Sequence, residues 1–193
     1  MSIRKVMLAT LAGTALSLSA CSDGADGDTA TAANAEPSSA TLASLIGDAD
    51  GYSVVSETLS DAGLAEVFDG NAAYTVLLPS DASFEGMDAE ALPQEGDARQ
   101  AAMVAILRDH IFPGYFSPED IRNSIGEEDG ASVSMKSMGD HELTFSRDGD
   151  AILVTNASDG STARISGDAM MGSNGVAIPL DGVLKSVGEE TPA

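Results

Sequence analysis

Two histidines and one cysteine accompany 31 carboxylates in this 193-residue chain, and that inventory limits the chemistry open to it. A serine hydrolase needs a histidine base beside an exposed serine, and no Gly-x-Ser-x-Gly elbow is present. His110 lies on the apolar face of the helical pattern "GDARQAAMVAILRDHI". That position suits a core histidine bonded to backbone better than a general base. His141, between Asp140 and Glu142, reads as an exposed turn or strand start. Zinc needs three or four converging ligands, which two histidines and the lone Cys21 do not supply. Neither a phosphate loop nor a dinucleotide fingerprint occurs. "GDADG" carries Asp48 and Asp50, and "GEEDG" carries Glu127, Glu128 and Asp129, a chemistry suited to weak calcium binding. In so acidic a chain such runs arise from composition alone, so neither a metal nor a cofactor is expected. Phe112, Tyr115 and Phe116 surround the Pro113–Gly114 turn. Exposed, they would form an interaction surface for a sugar or an apolar partner; folded inward, they would cap the core.

The elements that must position these groups can be read from periodicity and breakers. "TLASLIGDADGYSVVSETLSDAGLAEVFDG" reads as short helices, with Tyr52, Val55 and Leu59 on one face and Gly63 as a C-terminal stop. In "YTVLLPSDASFEGM" the strand from Tyr74 should end at Pro79, which cannot donate to a ladder. Ser80 is then placed to cap a short helical turn, and Phe84 to fold back onto the core. Met103, Ile106, Leu107, His110 and Ile111 follow the i, i+3, i+4, i+7, i+8 stripe of one long helix, ended by Pro113–Gly114. The next helix starts at Ser117, with Pro118 at its first position, Asp120 at N3, and Phe116 and Ile121 spaced as a hydrophobic staple. From about Ala131 the chain is strand and turn: "ASVSMKSM", "HELTFS", "AILVTN", "STARIS" and "GVAIPL", separated by Gly-rich breaks. Helices first and strands later is an α+β order rather than α/β alternation.

The N-terminal "MSIRKVMLATLAGTALSLSAC" has Arg4 and Lys5, an apolar stretch from Val6 to Leu18, then small residues, which is the pattern of a secretory signal peptide. "LSAC" resembles the bacterial lipobox, in which the cysteine is lipidated. Residues 1–20 are thus expected to be removed and Cys21 to carry the acyl chains of a membrane anchor. Ser22 is not the aspartate that retains some lipoproteins at the inner membrane, which favours the outer membrane. Residues 22–40, without a large apolar side chain, read as a flexible tether behind the lipidated cysteine. Within it "DGADGD" lacks the closing glutamate of a calcium loop. Losing residues 1–20 takes the net charge from −22 to −24, since Arg4 and Lys5 go and no acid does. Phosphates are repelled by such a chain, so nucleic acid is not an expected partner.

Three segments together resemble a known family. "YTVLLPSDASFEGM" resembles the first signature of the fasciclin-type (FAS1) domain at Thr75, Val76, Pro79, Ala82 and Phe84. "ILRDHIFPGYFSPEDI" is similar to the family's central segment at His110, Pro113 and Gly114. "SNGVAIPLDGVL" resembles its closing signature at Asn174, Gly175, Val176, Asp181, Val183 and Leu184. The resemblance implies a single FAS1-like α+β domain over residues 41–188, a twisted sheet wedge packed with short helices, followed by a tail at 189–193. It also implies a non-enzymatic role in adhesion or extracytoplasmic association with a protein or polysaccharide. An accessory protein holding a small molecule, glycan or divalent ion is the alternative. The chain departs from the family pattern at three places. Asp109 stands where an aromatic residue commonly precedes the histidine, so the adhesion role of that pair does not carry over. Ile178 replaces a usual histidine, and Pro179 a branched residue, so that strand is expected to lie at an edge or to bend.

Overall fold

β1 (Tyr74–Pro79) is buried along nearly its whole length because it has apolar neighbours on both faces. Leu77 points into one core cluster with Phe112, Ile121, Leu143, Phe145, Val176 and Ile178. Val76 and Leu78 point the other way, among Leu42, Ile46, Val55, Leu59 and Phe68. The computed structural model describes residues 38–85, 87, 92–93 and 96–185. The expected signal peptide, the expected lipidation site Cys21, nearly all of the expected tether and the C-terminal tail lie outside them.

Around β1 the chain builds a mixed sheet of order β2-β1-β8-β7, from β2 (Ile111–Pro113), β7 (Met170–Met171) and β8 (Gly175–Leu180). β8 runs parallel to β1, with Tyr74 opposite Gly175 and Pro79 opposite Leu180. A second sheet is an antiparallel meander of β3 (Ser132–Lys136), β4 (Glu142–Asp148), β5 (Ala151–Asn156) and β6 (Thr162–Arg164). Helices α1 (Leu42–Gly47), α2 (Ser53–Asp61) and α3 (Leu64–Phe68) cover one face of the first sheet. The second sheet and α6 (Pro118–Ile125) cover the other. The remaining helices are α4 (Asp81–Glu85) and α5 (Gly96–Asp109), whose Met103 and Ile106 pack with Leu92, Phe84 and Val183. This is the α+β fold expected, and among the described residues no helix is long and apolar enough to cross a membrane.

Local chemistry explains the boundaries. Ser117 accepts from the Asp120 N–H while Asp120 accepts from Ser117, a complete capping box with Pro118 at the first position. Those bonds hold the Asp120 carboxyl below its ordinary value. Gly63 adopts the left-handed conformation (φ 68°) just after α2, where a side chain would be disfavoured. At the β1 corner the Ser80 hydroxyl meets that of Ser83 at 3.0 Å, and the next residue, Asp81, caps α2. Its carboxylate accepts from Ser53 N at 3.1 Å, Ser53 Oγ at 2.7 Å and Val54 N at 2.9 Å, closing the start of α2 from across the fold.

Two expectations are corrected. Ile111 is not helical: α5 stops at Asp109, and Ile111 pairs with Val76 in the sheet. Pro113, two residues on, cannot continue a helix, and Ile111 gains a fully buried place beside β1. β8 is not the edge strand expected from Pro179, because it sits between β1 and β7. The Pro179 carbonyl accepts from Ser166 N at 2.9 Å, on the side away from β1. Its missing N–H faces that same side, beyond the two-residue reach of β7, so the parallel ladder loses nothing.

Candidate functional site

The family-signature residues form one group, made of structural joints, and a second group lies at the β3–β4 turn. At the start of β1 and β8 a set of polar groups ties helices to the sheet. The Asn174 amide accepts from Leu42 N at 2.7 Å and donates to Phe68 O at 2.5 Å and Gly70 O at 2.7 Å. Next to it Gly175 has no room for a side chain: a Cβ there would collide with Tyr74 O and meet Leu42 Cδ2 at 2.7 Å. Buried Thr75 donates to Gly114 O at 2.9 Å and accepts from Phe116 N at 2.9 Å, which fixes the Pro113–Gly114 turn. Gly114 itself has φ 120°, and the Phe116 ring lies against its Cα. At the far end of β8 the Asp181 carboxylate accepts from Arg164 N at 2.6 Å and joins the two sheets. Val76 and Phe84 pack in the core, and Pro79 ends β1 as expected.

Thr75 offers a direct check of this group. Thr75→Val keeps the shape but strands Gly114 O and Phe116 N, so it should lower unfolding free energy by about 2 kcal/mol. Equilibrium denaturation of the two proteins measures the difference.

His110 is wholly buried. Its Nδ1 lies 2.8 Å from Ile106 O, and its Nε2 accepts from Leu184 N at 3.0 Å. Nδ1 therefore carries the proton and the ring is neutral. Burial drives its pKa down to about 4. The ring ties α5 to the C-terminal segment and faces no solvent-open space, which suits the core role read from the sequence.

The aromatic group does not form an open platform. Phe112 is buried and packs edge-on against Phe145, with ring centroids 5.8 Å apart, so it offers no interaction surface. Tyr115 and Phe116 are half-buried against the same cluster. The Tyr115 hydroxyl is enclosed without a hydrogen-bond partner among the described residues, and burial first, then the charge of Asp120, pushes its pKa up.

The second group is one that sequence reasoning missed. His141 is not simply exposed: its Nδ1 lies 2.7 Å from Asp109 Oδ1, and its side chain is 38% exposed. Asp109 is buried and also accepts from Ser137 Oγ at 3.3 Å. Burial pushes its pKa up, opposed by the bonds from His141 and Ser137. The β3–β4 turn lies over this carboxylate. Met138 N donates to Ile111 O at 2.8 Å and Gly139 N to Arg108 O at 3.1 Å. A Cβ on Gly139 would collide with Asp109 Oδ1, so the buried acid and this glycine fit only together. Asp140, at φ 70°, closes the turn and pairs with Lys136 at 2.8 Å. Between turn and helix lies an open cleft of about 340 Å³, floored by Ala101, Val104 and Ala105, with Arg108, Met138 and His141 around it. One signal pointed to Asp109 in advance: a carboxylate in the last turn of a helix opposes the macrodipole and needs a local partner. Its partner is 32 positions away, so spacing could not supply it. Among the described residues no group of three or more His, Cys, Asp or Glu is placed to hold a metal ion.

The architecture defines a class: two packed four-stranded sheets with short helices over one face, the signature segments acting as its joints. The fasciclin domain model matches residues 50–186, and the chain belongs to the fasciclin family. Among solved structures it is similar to a FAS1 domain pair from the insect cell adhesion molecule fasciclin I. That likeness has a TM-score of 0.54 at 20% identity and covers 70% of this chain and 45% of the other, so this chain spans less than half of that one. No curated protein matches the chain.

Proposed function

We propose that this protein is a lipid-anchored envelope protein whose fasciclin domain mediates adhesion or association with an extracytoplasmic protein or polysaccharide, without catalysing a reaction. Membership of the fasciclin family carries this reading. The state of His110 supports it, because both ring nitrogens are spent on backbone groups in the core. The "LSAC" segment, the lone Cys21 and the polar stretch behind it support export, lipidation and a tether, with the outer membrane as the destination. The strong negative charge keeps such a domain soluble and away from nucleic acid.

One experiment tests both halves. The lipidated protein is crosslinked in its native envelope and recovered beside a control carrying only the anchor and residues 22–40. The expected result is a defined protein or polysaccharide recovered only when the domain is present. In the same cells globomycin should make the precursor accumulate. Unchanged processing would overturn the anchor, and recovery no different from control would overturn the interaction role.

A further inference from the structure

We propose that the cleft between α5 and the β3–β4 turn is a binding site for a carboxylate carried on a compact, largely apolar body. The hydrogen bonding of the cleft's charged groups carries the argument. Among the described residues two carboxylates line it, and both are bonded: Asp140 to Lys136 at 2.8 Å and Asp109 to His141 at 2.7 Å. Arg108 lines the same cleft, and its guanidinium makes no hydrogen bond or ion pair with any described residue. This leaves a guanidinium whose donors no described residue uses beside a concave surface. A guanidinium binds a carboxylate in two parallel hydrogen bonds, a geometry an ammonium cannot match.

The rest of the cleft sets the body of the ligand. Ala101, Val104, Ala105 and Arg108 occupy i, i+3, i+4 and i+7 on α5, a face distinct from the buried Met103, Ile106 and Leu107. Three short apolar side chains thus lead up to the cation. Met138, 37% exposed, forms the facing wall, and a methionine adapts readily to aliphatic or ring carbons. A cleft of about 340 Å³ is at the small end of ligand sites, which suits a short-chain acid or one uronate ring rather than a folded partner. The wall is anchored: Met138 and Gly139 are bonded to backbone carbonyls of Ile111 and Arg108, and the Asp109–His141 contact holds the turn from beneath. This site goes beyond the adhesion role and stands whether or not the domain recovers a macromolecular partner.

Two sources can present the same chemistry, a free organic acid or a uronate unit of a polysaccharide, and the test separates them. The full chain, with methionine and alanine methyls labelled for NMR, is titrated with hexanoate, with trigalacturonate and with hexylamine. Saturable shifts of the Met138, Ala101 and Ala105 methyls at millimolar hexanoate or trigalacturonate are expected, and the more effective probe names the source. Arg108→Gln, at an exposed position, should keep the melting temperature and weaken binding roughly ten-fold. Three outcomes overturn the proposal: no saturable shift with either acid, equal shifts with hexylamine, or unchanged affinity in Arg108→Gln.

Discussion

Asn174→Ala should lower the unfolding free energy by about 4 kcal/mol, equivalent to a fall in melting temperature of about 12 °C for a domain of this size. The size follows from what the amide serves. It satisfies the N–H of Leu42, the first residue of α1, and the carbonyls of Phe68 and Gly70 around the end of α3. Asn174 is 8% exposed, and the contact with Leu42 is buried, so truncation leaves interior polar groups without partners. Stranding such groups costs more than the net worth of the bonds themselves. α1 has six residues and α3 five, too short to persist without tertiary anchors. Loss of amide-exchange protection in α1 and α3 should therefore precede loss in β1 and β8. Asn174→Asp gives a sharper test. It keeps an acceptor for Leu42 N but turns carboxylate oxygen toward two carbonyls, so it should destabilise at least as much as alanine. An aspartate variant near wild-type stability would overturn the joint assigned to this side chain.

The legible parts of this chain were those written in adjacent residues. Ser117-Pro118-Glu119-Asp120 announced its capping box because all the participants lie within one turn. The strand of Tyr74, the three hairpins of the second sheet and the buried side of α5 followed from short-range periodicity. Long-range geometry was not legible. β2 was hidden because Ile111 continues the helical stripe, and only its pairing with Val76 makes it a strand. Two-residue β7 is shorter than any alternation can reveal. The same limit governed the candidate site. His110 could be placed in the core from its own helix face, whereas His141 acquired its role from Asp109, on a separate element. Gly139 looked like an ordinary turn glycine, and its need became clear only with the Asp109 carboxylate beneath it.

Both histidines, then, hold elements together, and each binds α5 to a different part of the sheet structure: His110 to the segment after β8, His141 to the β3–β4 turn. They differ in their surroundings. The His141 ring faces the Asp109 carboxylate, which also accepts from Ser137. The His110 ring bonds only backbone among the described residues, Ile106 O and Leu184 N, and a second ring proton would oppose the Leu184 N–H.

The consequence is a second large effect, on pH dependence. His110 has a folded pKa of about 4 against 6.5 for the free side chain. Between those values the unfolded chain binds a proton that the folded chain does not, so stability falls on acidification through this window. The loss approaches about 3 kcal/mol by pH 4. Other groups act in other directions. Asp81 and Asp120, with lowered pKa values, lose their contribution only as pH drops below the ordinary carboxylate value of 3.8. Asp109, with a raised pKa, changes stability in the opposite sense, which weakens the fold as pH rises from 3.8. Neutralising acids in a chain of charge −22 also relieves repulsion. The wild-type curve alone is therefore a sum, and the difference from a variant isolates His110. His110→Gln should be the less stable protein at pH 7, because one amide cannot reach both Ile106 O and Leu184 N from the ring's position. The gap should narrow by about 3 kcal/mol as pH goes from 7 to 4, since only the wild type carries the buried imidazole. Urea denaturation of both proteins across that range reads the gap directly. A gap constant with pH would mean that His110 titrates as a free histidine does, and the buried neutral ring joining α5 to Leu184 would have to be abandoned.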